Sequence, residues 1–256
     1  MIEVLRIALP KDRLKAIPKD ERALFLLLGH AANQINLLSK LVIFSTNKTP
    51  VGQPEQDLSG AQSQILARIL IGMLAETWEL IRTQFLSSPL GKEYSSKLDQ
   101  VGQLALTNLK RNFGVSSLLS KLRNNHIFHH PSVNDMEAAY QVAANDTQWE
   151  NDWNWFFSVS NYNSFFFISD VVFMHALLIA AGETDLIAAH AKIMKEVREV
   201  AENMIHFLMA LTAAFWRKHF GGEMTGEKVA EIVDAPGVFD VWLPFFVEIP
   251  SDDSTP

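Results

Sequence analysis

The chain has no cysteine among its 256 residues. A disulfide framework, a thiol nucleophile and a zinc site with cysteine ligands are therefore excluded. Long hydrophobic runs are missing too, because the longest apolar stretches, residues 171–181 and 207–216, fall short of the ~18 residues that cross a bilayer. We expect them to be buried helix faces, with no membrane partner. The first fifteen residues carry charges too early, and too short an apolar core, for a secretory signal, so we expect a cytoplasmic protein.

Net positive charge is absent as well. The formal net charge of −7 argues against a nucleic-acid partner, because lysine and arginine drive phosphate binding. The distribution of charge changes this inference. Residues 223–253 hold eight acidic residues and one lysine, so they account for the whole net charge and the body before them is neutral. Within that body, residues 92–123 carry six cations against two acids, which predicts a locally positive surface or a solvated helical face.

The apolar pattern of the chain has a helical period almost throughout. Apolar residues make up 48% of the sequence and charged residues 20%, as in globular proteins that bury a core. We predict one all-α domain of about six to seven helices over residues 1–222, followed by an acidic, partly packed C-terminal tail, residues 223–256, with a disordered tip. Near residues 153–168, aromatic runs flank a polar turn, which is typical of a small β-hairpin.

One stretch stands apart from this scaffold. The Arg/His segment, residues 116–132 (SSLLSKLRNNHIFHHPS), follows a predicted helix over Lys92–Phe113 and combines an arginine, two asparagines and three histidines before Pro131. We expect a short helix at its start and a new helix after it, capped by Ser132 or Asn134.

The spacing in the Arg/His segment restricts which side chains can meet. On an ideal helix Arg123 and His130 share a face and His129 points elsewhere. Pro131 disfavours an α conformation at His130, so the last turn is expected to open. Either histidine can then lie beside Arg123, and spacing alone does not choose between them.

An arginine beside a histidine suits phosphodiester cleavage. The imidazole can take a proton from a ribose 2′-hydroxyl or give one to the leaving oxygen, and the guanidinium can bind the charged transition state. No metal and no cofactor are required. The cations nearest these residues are the candidates for RNA contact: Lys110, Arg111 and Lys121.

The residues LRNNHIFHHPS resemble the signature of the HEPN superfamily, in which four to six residues separate an arginine from a histidine. Some members read Arg-Asn, three residues, Phe-His near a helix end. That pattern falls on Arg123, Asn124, Phe128 and His129, with five residues between arginine and histidine. His130 also fits, with six between.

The resemblance extends, through the order of helices, over roughly residues 18–220 and implies an all-α fold. It also implies a homodimer that joins two motifs across a shared cleft, and metal-independent endoribonuclease activity. Several members act in toxin–antitoxin or phage-defence systems, which would add an antitoxin protein as partner. Arg123 would then stabilise the phosphate, His129 would act as general acid or base, and Asn124 would orient the helix end or the substrate. Other members bind or dimerise without nuclease activity, and that alternative stays open.

Two further interpretations of the same segment remain. It can be an ordinary polar helix end, where a cationic histidine favours the dipole. Alternatively, His126 and His130, four residues apart, could bind a metal with Asp135 or Glu137, although no HExxH pattern is present.

The other histidines are assigned by their surroundings in the sequence. Those in apolar helical faces are expected to be core residues: His30, His175 and His206. Two more are expected to be exposed: His190 and His219.

Overall fold

The computed structural model describes residues 1–45, 52, 55–114, 118–119, 122, 130–146, 153–158 and 163–248. Helices predominate within these residues, which confirms the predicted all-α class. In chain order they are α1 Lys11–Ala16, α2 Lys19–Phe44, α3 Glu55–Leu80, α4 Pro89–Ser95, α5 Gln100–Asn112, α6 Val133–Ala144, α7 Phe167–Ala181 and α8 Leu186–His219. A π-helical turn, Ile81–Leu86, continues α3. Two strands, β1 Ile2–Arg6 and β2 Glu227–Ile232, complete the described elements.

Helix α2 forms because its apolar residues recur every three, four or seven positions. Leu24, Leu28, Ala31, Ile35 and Val42 are all buried on one face. This face packs against α3 and α8, and the three helices contribute most of the main hydrophobic core.

Helix α8 spans 34 residues and touches α2, α3, α4, α5 and α7, so it is the central element of the bundle. Asp185 caps its start by accepting a hydrogen bond from the Ala188 N–H at 2.7 Å. Its end coincides with Gly221 and Gly222, whose φ angles of 75° and 67° lie in the left-handed region. The double glycine therefore stops the helix.

The predicted single helix over Lys92–Phe113 is wrong, because the chain breaks into α4 and α5. Asp99 caps α5 by accepting a hydrogen bond from the Gly102 N–H at 2.8 Å, which starts a new helix. Helix α5 then runs along α8, and a Cβ placed on Gly102 would lie 2.4 Å from the Ala210 Cβ. This glycine permits the close approach of the two helices.

The predicted hairpin near residues 153–168 is present as one antiparallel bridge between Phe156 and Phe165, each N–H donating to the carbonyl oxygen of the other. The C-terminal tail crosses this region. The Leu243 N–H donates to the Phe44 carbonyl oxygen at 2.6 Å, and Asn163 exchanges two hydrogen bonds with the backbone of Val247. The tail thus covers a small aromatic cluster beside the end of α2.

The β1–β2 sheet was not predicted from the sequence. Ile2 faces Ile232 and Val4 faces Ala230 in an antiparallel register with an irregularity after Val4. The two strands are five and six residues long and lie at opposite ends of the chain. No pattern within either segment therefore indicates that the two strands pair. Most of their residues are exposed.

Among the described residues, one helical stretch, Asp57–Leu86, is long and apolar enough to cross a membrane, with a mean hydropathy of 1.2. Core helices of globular proteins meet the same criterion, and 56% of its apolar window is buried in the fold. Two further helices, α7 and α8, meet it only when taken as one span, although they bend by 69° where they join.

Candidate functional site

The start of the Arg/His segment is anchored in the main core. Leu118, Leu119 and Leu122 are helical, and Leu119 and Leu122 are fully buried. The Leu119 N–H donates to the Glu196 carboxylate on α8. Burial raises the pKa of Glu196, and the amide of Leu119 opposes this shift by stabilising the charged form. Apolar burial and this hydrogen bond together fix the beginning of the segment against α8.

Five residues that were predicted to take part in catalysis, RNA contact or metal binding lie outside the described residues. They are Lys121, Arg123, Asn124, His126 and His129. His130 is described: it is exposed and belongs to no helix or strand, immediately before Pro131. The expected role of His130 beside Arg123 therefore stays a prediction.

Lys110 and Arg111 occupy the last turn of α5, and both are exposed. Cations in this position complement the negative end of the helix dipole. Neither forms an ion pair with another described residue. Phe113, at the end of α5, stacks on Trp78 with ring centroids 5.3 Å apart. The end of α5 is thus held firmly while its two cations face solvent a few residues before the Arg/His segment.

The end of the segment is defined by a capping box. Ser132 Oγ accepts a hydrogen bond from the Asp135 N–H at 3.1 Å, and Asp135 Oδ2 accepts one from the Ser132 N–H at 3.2 Å. Ser132, not Asn134, therefore starts α6, which resolves the two alternatives that the sequence left open.

The two acidic residues that were candidate metal ligands after the Arg/His segment, Asp135 and Glu137, are engaged in other hydrogen bonds. The Asp135 carboxylate belongs to the capping box, and Glu137 accepts a hydrogen bond from Gln141 at 2.8 Å. No group of three His, Asp or Glu side chains able to hold a metal ion occurs in the described part of the chain. His126 lies outside that part, so the pairing of His126 with His130 stays a prediction.

Helix α6 is tied to the body through a buried histidine of α7. His175 has no exposed surface, and its ring nitrogens contact the Val171 carbonyl oxygen at 2.9 Å and Asp146 Oδ2 at 3.0 Å. The prediction of a hydrogen-bonded core histidine is confirmed here. Because Asp146 directly follows α6, this contact holds the helix that begins where the Arg/His segment ends.

A buried polar cluster lies away from the Arg/His segment and was not predicted. Glu21, 5% exposed, accepts hydrogen bonds from the Tyr94 hydroxyl, from Lys218 Nζ at 2.8 Å and from His219 Nε2 at 2.7 Å. Burial raises the pKa of Glu21, but the hydrogen bonds from Lys218, Tyr94 and His219 outweigh it, and the pKa is lowered overall. Burial and the neighbouring Glu21 carboxylate raise the pKa of Tyr94.

The cluster joins α2, α4 and α8, and the cavity beside it measures about 20 Å³, room for one water molecule and no substrate. We therefore interpret it as a structural clamp. The sequence carried a signal for it, because Glu21 lies on the same helical stripe as the buried Leu24 and Leu28. A carboxylate on an apolar stripe requires buried partners.

The remaining histidines differ from their predicted surroundings. His30 and His206 are exposed, so their assignment to the core was wrong. His219 belongs to the buried cluster, and His190 is half-buried in contact with Gln64, so the prediction that both are exposed was also wrong. Helical spacing placed each residue on a helix but could not say which neighbouring helix covers it.

The fold and this geometry define a class, a mostly α-helical bundle with one small antiparallel sheet. In comparisons with known proteins, no family model, no curated protein and no solved structure matches the chain.

Proposed function

We propose that this protein is a metal-independent endoribonuclease of HEPN type, which cleaves RNA in the cytoplasm at a composite site across a homodimer. A role as the toxin of a toxin–antitoxin pair, held in check by an antitoxin protein, or as a phage-defence component belongs to the same proposal. The observation that carries it is the motif Arg123-Asn124, three residues, Phe128-His129, in an all-helical chain.

The surroundings of the motif support this proposal. Leu122 is buried in the core on one side, and Ser132 begins a capped helix on the other. The motif is thus flanked in the chain by a buried core residue and by a capped helix. The exposed Lys110 and Arg111 add positive charge nearby for a phosphate backbone.

The proposed chemistry divides two proton transfers between histidines. A neutral histidine takes the proton of the ribose 2′-hydroxyl, whose oxygen then bonds to phosphorus, while a protonated histidine gives a proton to the departing 5′-oxygen. His129 acts in one of these roles, and the motif of the second subunit supplies the other. Arg123 stabilises the charge that builds on the phosphate oxygens. Asn124 orients the substrate or the helix end.

The test is incubation of the purified full chain with RNA in excess EDTA. The unaltered protein is expected to cleave, and Arg123→Ala and His129→Ala are each expected to lose activity by at least about a hundredfold, the usual contribution of such groups. Lys110→Ala, a phosphate contact, should weaken binding and reduce its salt dependence. His206→Ala, an exposed histidine on α8, is the matched control and should keep full activity. Unchanged cleavage in the Arg123 and His129 variants would exclude this site.

A second function, non-catalytic binding or dimerisation, is favoured by an exposed aromatic ridge. Trp155, Phe157 and Phe166 contact one another edge to face and are 57%, 66% and 53% exposed. Exposed apolar patches of this kind mark interaction surfaces. If this function holds, Trp155→Ser lowers the molar mass in solution or abolishes partner binding, and the Arg123 and His129 variants alter assembly without any RNA turnover. A protein that cleaves RNA through Arg123 and His129 contradicts it.

A further inference from the structure

A second cavity lies between α3, α7 and the first turns of α8. Its volume is about 340 Å³. Pockets for small ligands begin at about this size. Six apolar side chains form most of its wall: Met174, Leu177, Leu186, Ile187, Ala189 and Ile193.

Two polar side chains complete the wall, and they are hydrogen-bonded to each other. Gln64 Nε2 donates to His190 Nδ1. Because Nδ1 accepts, the ring proton resides on Nε2. The Nε2–H of His190 and the Oε1 of Gln64 make no other hydrogen bond with the described residues, so a donor and an acceptor remain side by side in an apolar wall.

The Gln64 and His190 side chains are both uncharged at physiological pH. Burial lowers the pKa of His190, because the charged imidazolium loses its hydration. Among the described residues, no acidic or basic side chain other than His190 lines the cavity. An ion inside it would lose part of its hydration without gaining a counter-charge from the described wall, whereas a neutral amide or hydroxyl would exchange its hydrogen bonds with water for those of the pair.

We propose that this cavity binds an uncharged small molecule with an apolar body and one polar head, which accepts a hydrogen bond from His190 and donates one to Gln64. The cavity lies at the lower end of the size range for small-ligand pockets. A medium-chain primary amide fits both the size and the polarity. No described residue of the Arg/His segment lines the cavity, and the proposed binding does not rest on the proposed ribonuclease activity.

The test uses the full chain labelled with ¹³C in its isoleucine and methionine methyl groups, titrated with octanamide. Saturable shifts are expected at Met174, Ile187 and Ile193, and Ile187→Val assigns the resonance at the mouth of the cavity. Octylammonium, with the same chain length but a charge and no acceptor, is expected to bind at least about tenfold more weakly, since it lacks one hydrogen bond and loses its hydration. This comparison needs no altered protein.

A pair of variants on one helix then tests the polar head. His190→Leu is expected to weaken octanamide binding by about tenfold, while His206→Leu, an exposed histidine of α8 outside the cavity, leaves it unchanged. The proposal is overturned by an absence of saturable methyl shifts in the unaltered protein, or by shifts confined to methyl groups outside the cavity. Equal affinities for octanamide and octylammonium would overturn it as well.

Discussion

Replacement of Glu21 by glutamine tests whether the buried polar cluster holds the bundle together. The variant keeps the shape of the side chain but removes the charge that faces Lys218 and His219. Lys218 retains its second partner, Glu93, at 3.0 Å, and the Tyr94 hydroxyl can still bond to the new amide. Removal of one partner from a buried ion pair costs about 3–5 kcal/mol. With those two compensations we expect a loss of about 2–3 kcal/mol.

Thermal and urea unfolding measure this loss. At about 2–4 °C for each kcal/mol in a protein of this size, Tm should fall by about 4–12 °C. The matched control is Glu79→Gln, because Glu79 pairs with Arg82 on an exposed helix face and is itself 40% exposed. Such pairs contribute less than about 1 kcal/mol. A loss in Glu21→Gln no larger than in this control would refute the assignment of the cluster as a clamp.

The pH dependence of the same variant gives an independent check. The folded-state pKa of Glu21 is lowered from the ordinary 4.5, so the unfolded state binds the proton more readily. The contribution of the charged carboxylate is therefore complete above pH 4.5 and is lost as the pH falls below that value. The stability difference between the unaltered protein and Glu21→Gln should shrink as the pH falls below about 4.5.

Two further predictions concern packing and a half-buried ion pair. Gly102→Ala should destabilise the protein by about 1–3 kcal/mol in urea unfolding, because the new Cβ would lie 2.4 Å from the Ala210 Cβ. The matched control is Gly29→Ala, where a new Cβ meets no atom within 4 Å. This variant should stabilise α2 by about 0.5–1 kcal/mol. Equal effects would contradict the close helix crossing. Arg68→Met should cost about 2 kcal/mol at pH 7, because it removes the bond of 3.0 Å to Asp170. Burial already raises the pKa of Asp170, so protonation should shrink this deficit towards pH 4, and a deficit independent of pH would contradict the pairing.

The helices were predictable because their signal is local. In α2 the buried residues repeat at the helical period, and in α8 the cap at Asp185 and the glycines after Phe220 mark both ends. Asp99 is also a residue type that caps helices. The apolar residues before and after it keep the helical spacing, however, and this spacing predicted a single helix. The hydrogen bond from Gly102 to Asp99 decides against that continuation.

What the sequence could not predict depends on contacts between distant residues. The pairing of Ile2 with Ile232 joins the two ends of the chain, and neither strand is long enough to show a pattern. His190 and His219 were expected to be exposed because nothing near them in sequence covers them, whereas Gln64 and Glu21 do so from other helices.

The candidate site was predictable only in part. The spacing of Arg123 and His129 can be read from the sequence, and Ser132 was among the predicted caps. Whether His129 or His130 lies beside Arg123 stays a prediction, because Pro131 disfavours an α conformation before it and the spacing alone does not choose between the two histidines.

The central claim, RNA cleavage by Arg123 and His129 without a metal, is tested most directly by the ends of the RNA products formed in excess EDTA. Attack by the ribose 2′-hydroxyl predicts 2′,3′-cyclic phosphate and 5′-hydroxyl ends from the unaltered protein, and no products from His129→Ala. An absence of cleavage, products with 3′-hydroxyl ends, or the same products from His129→Ala would contradict the claim.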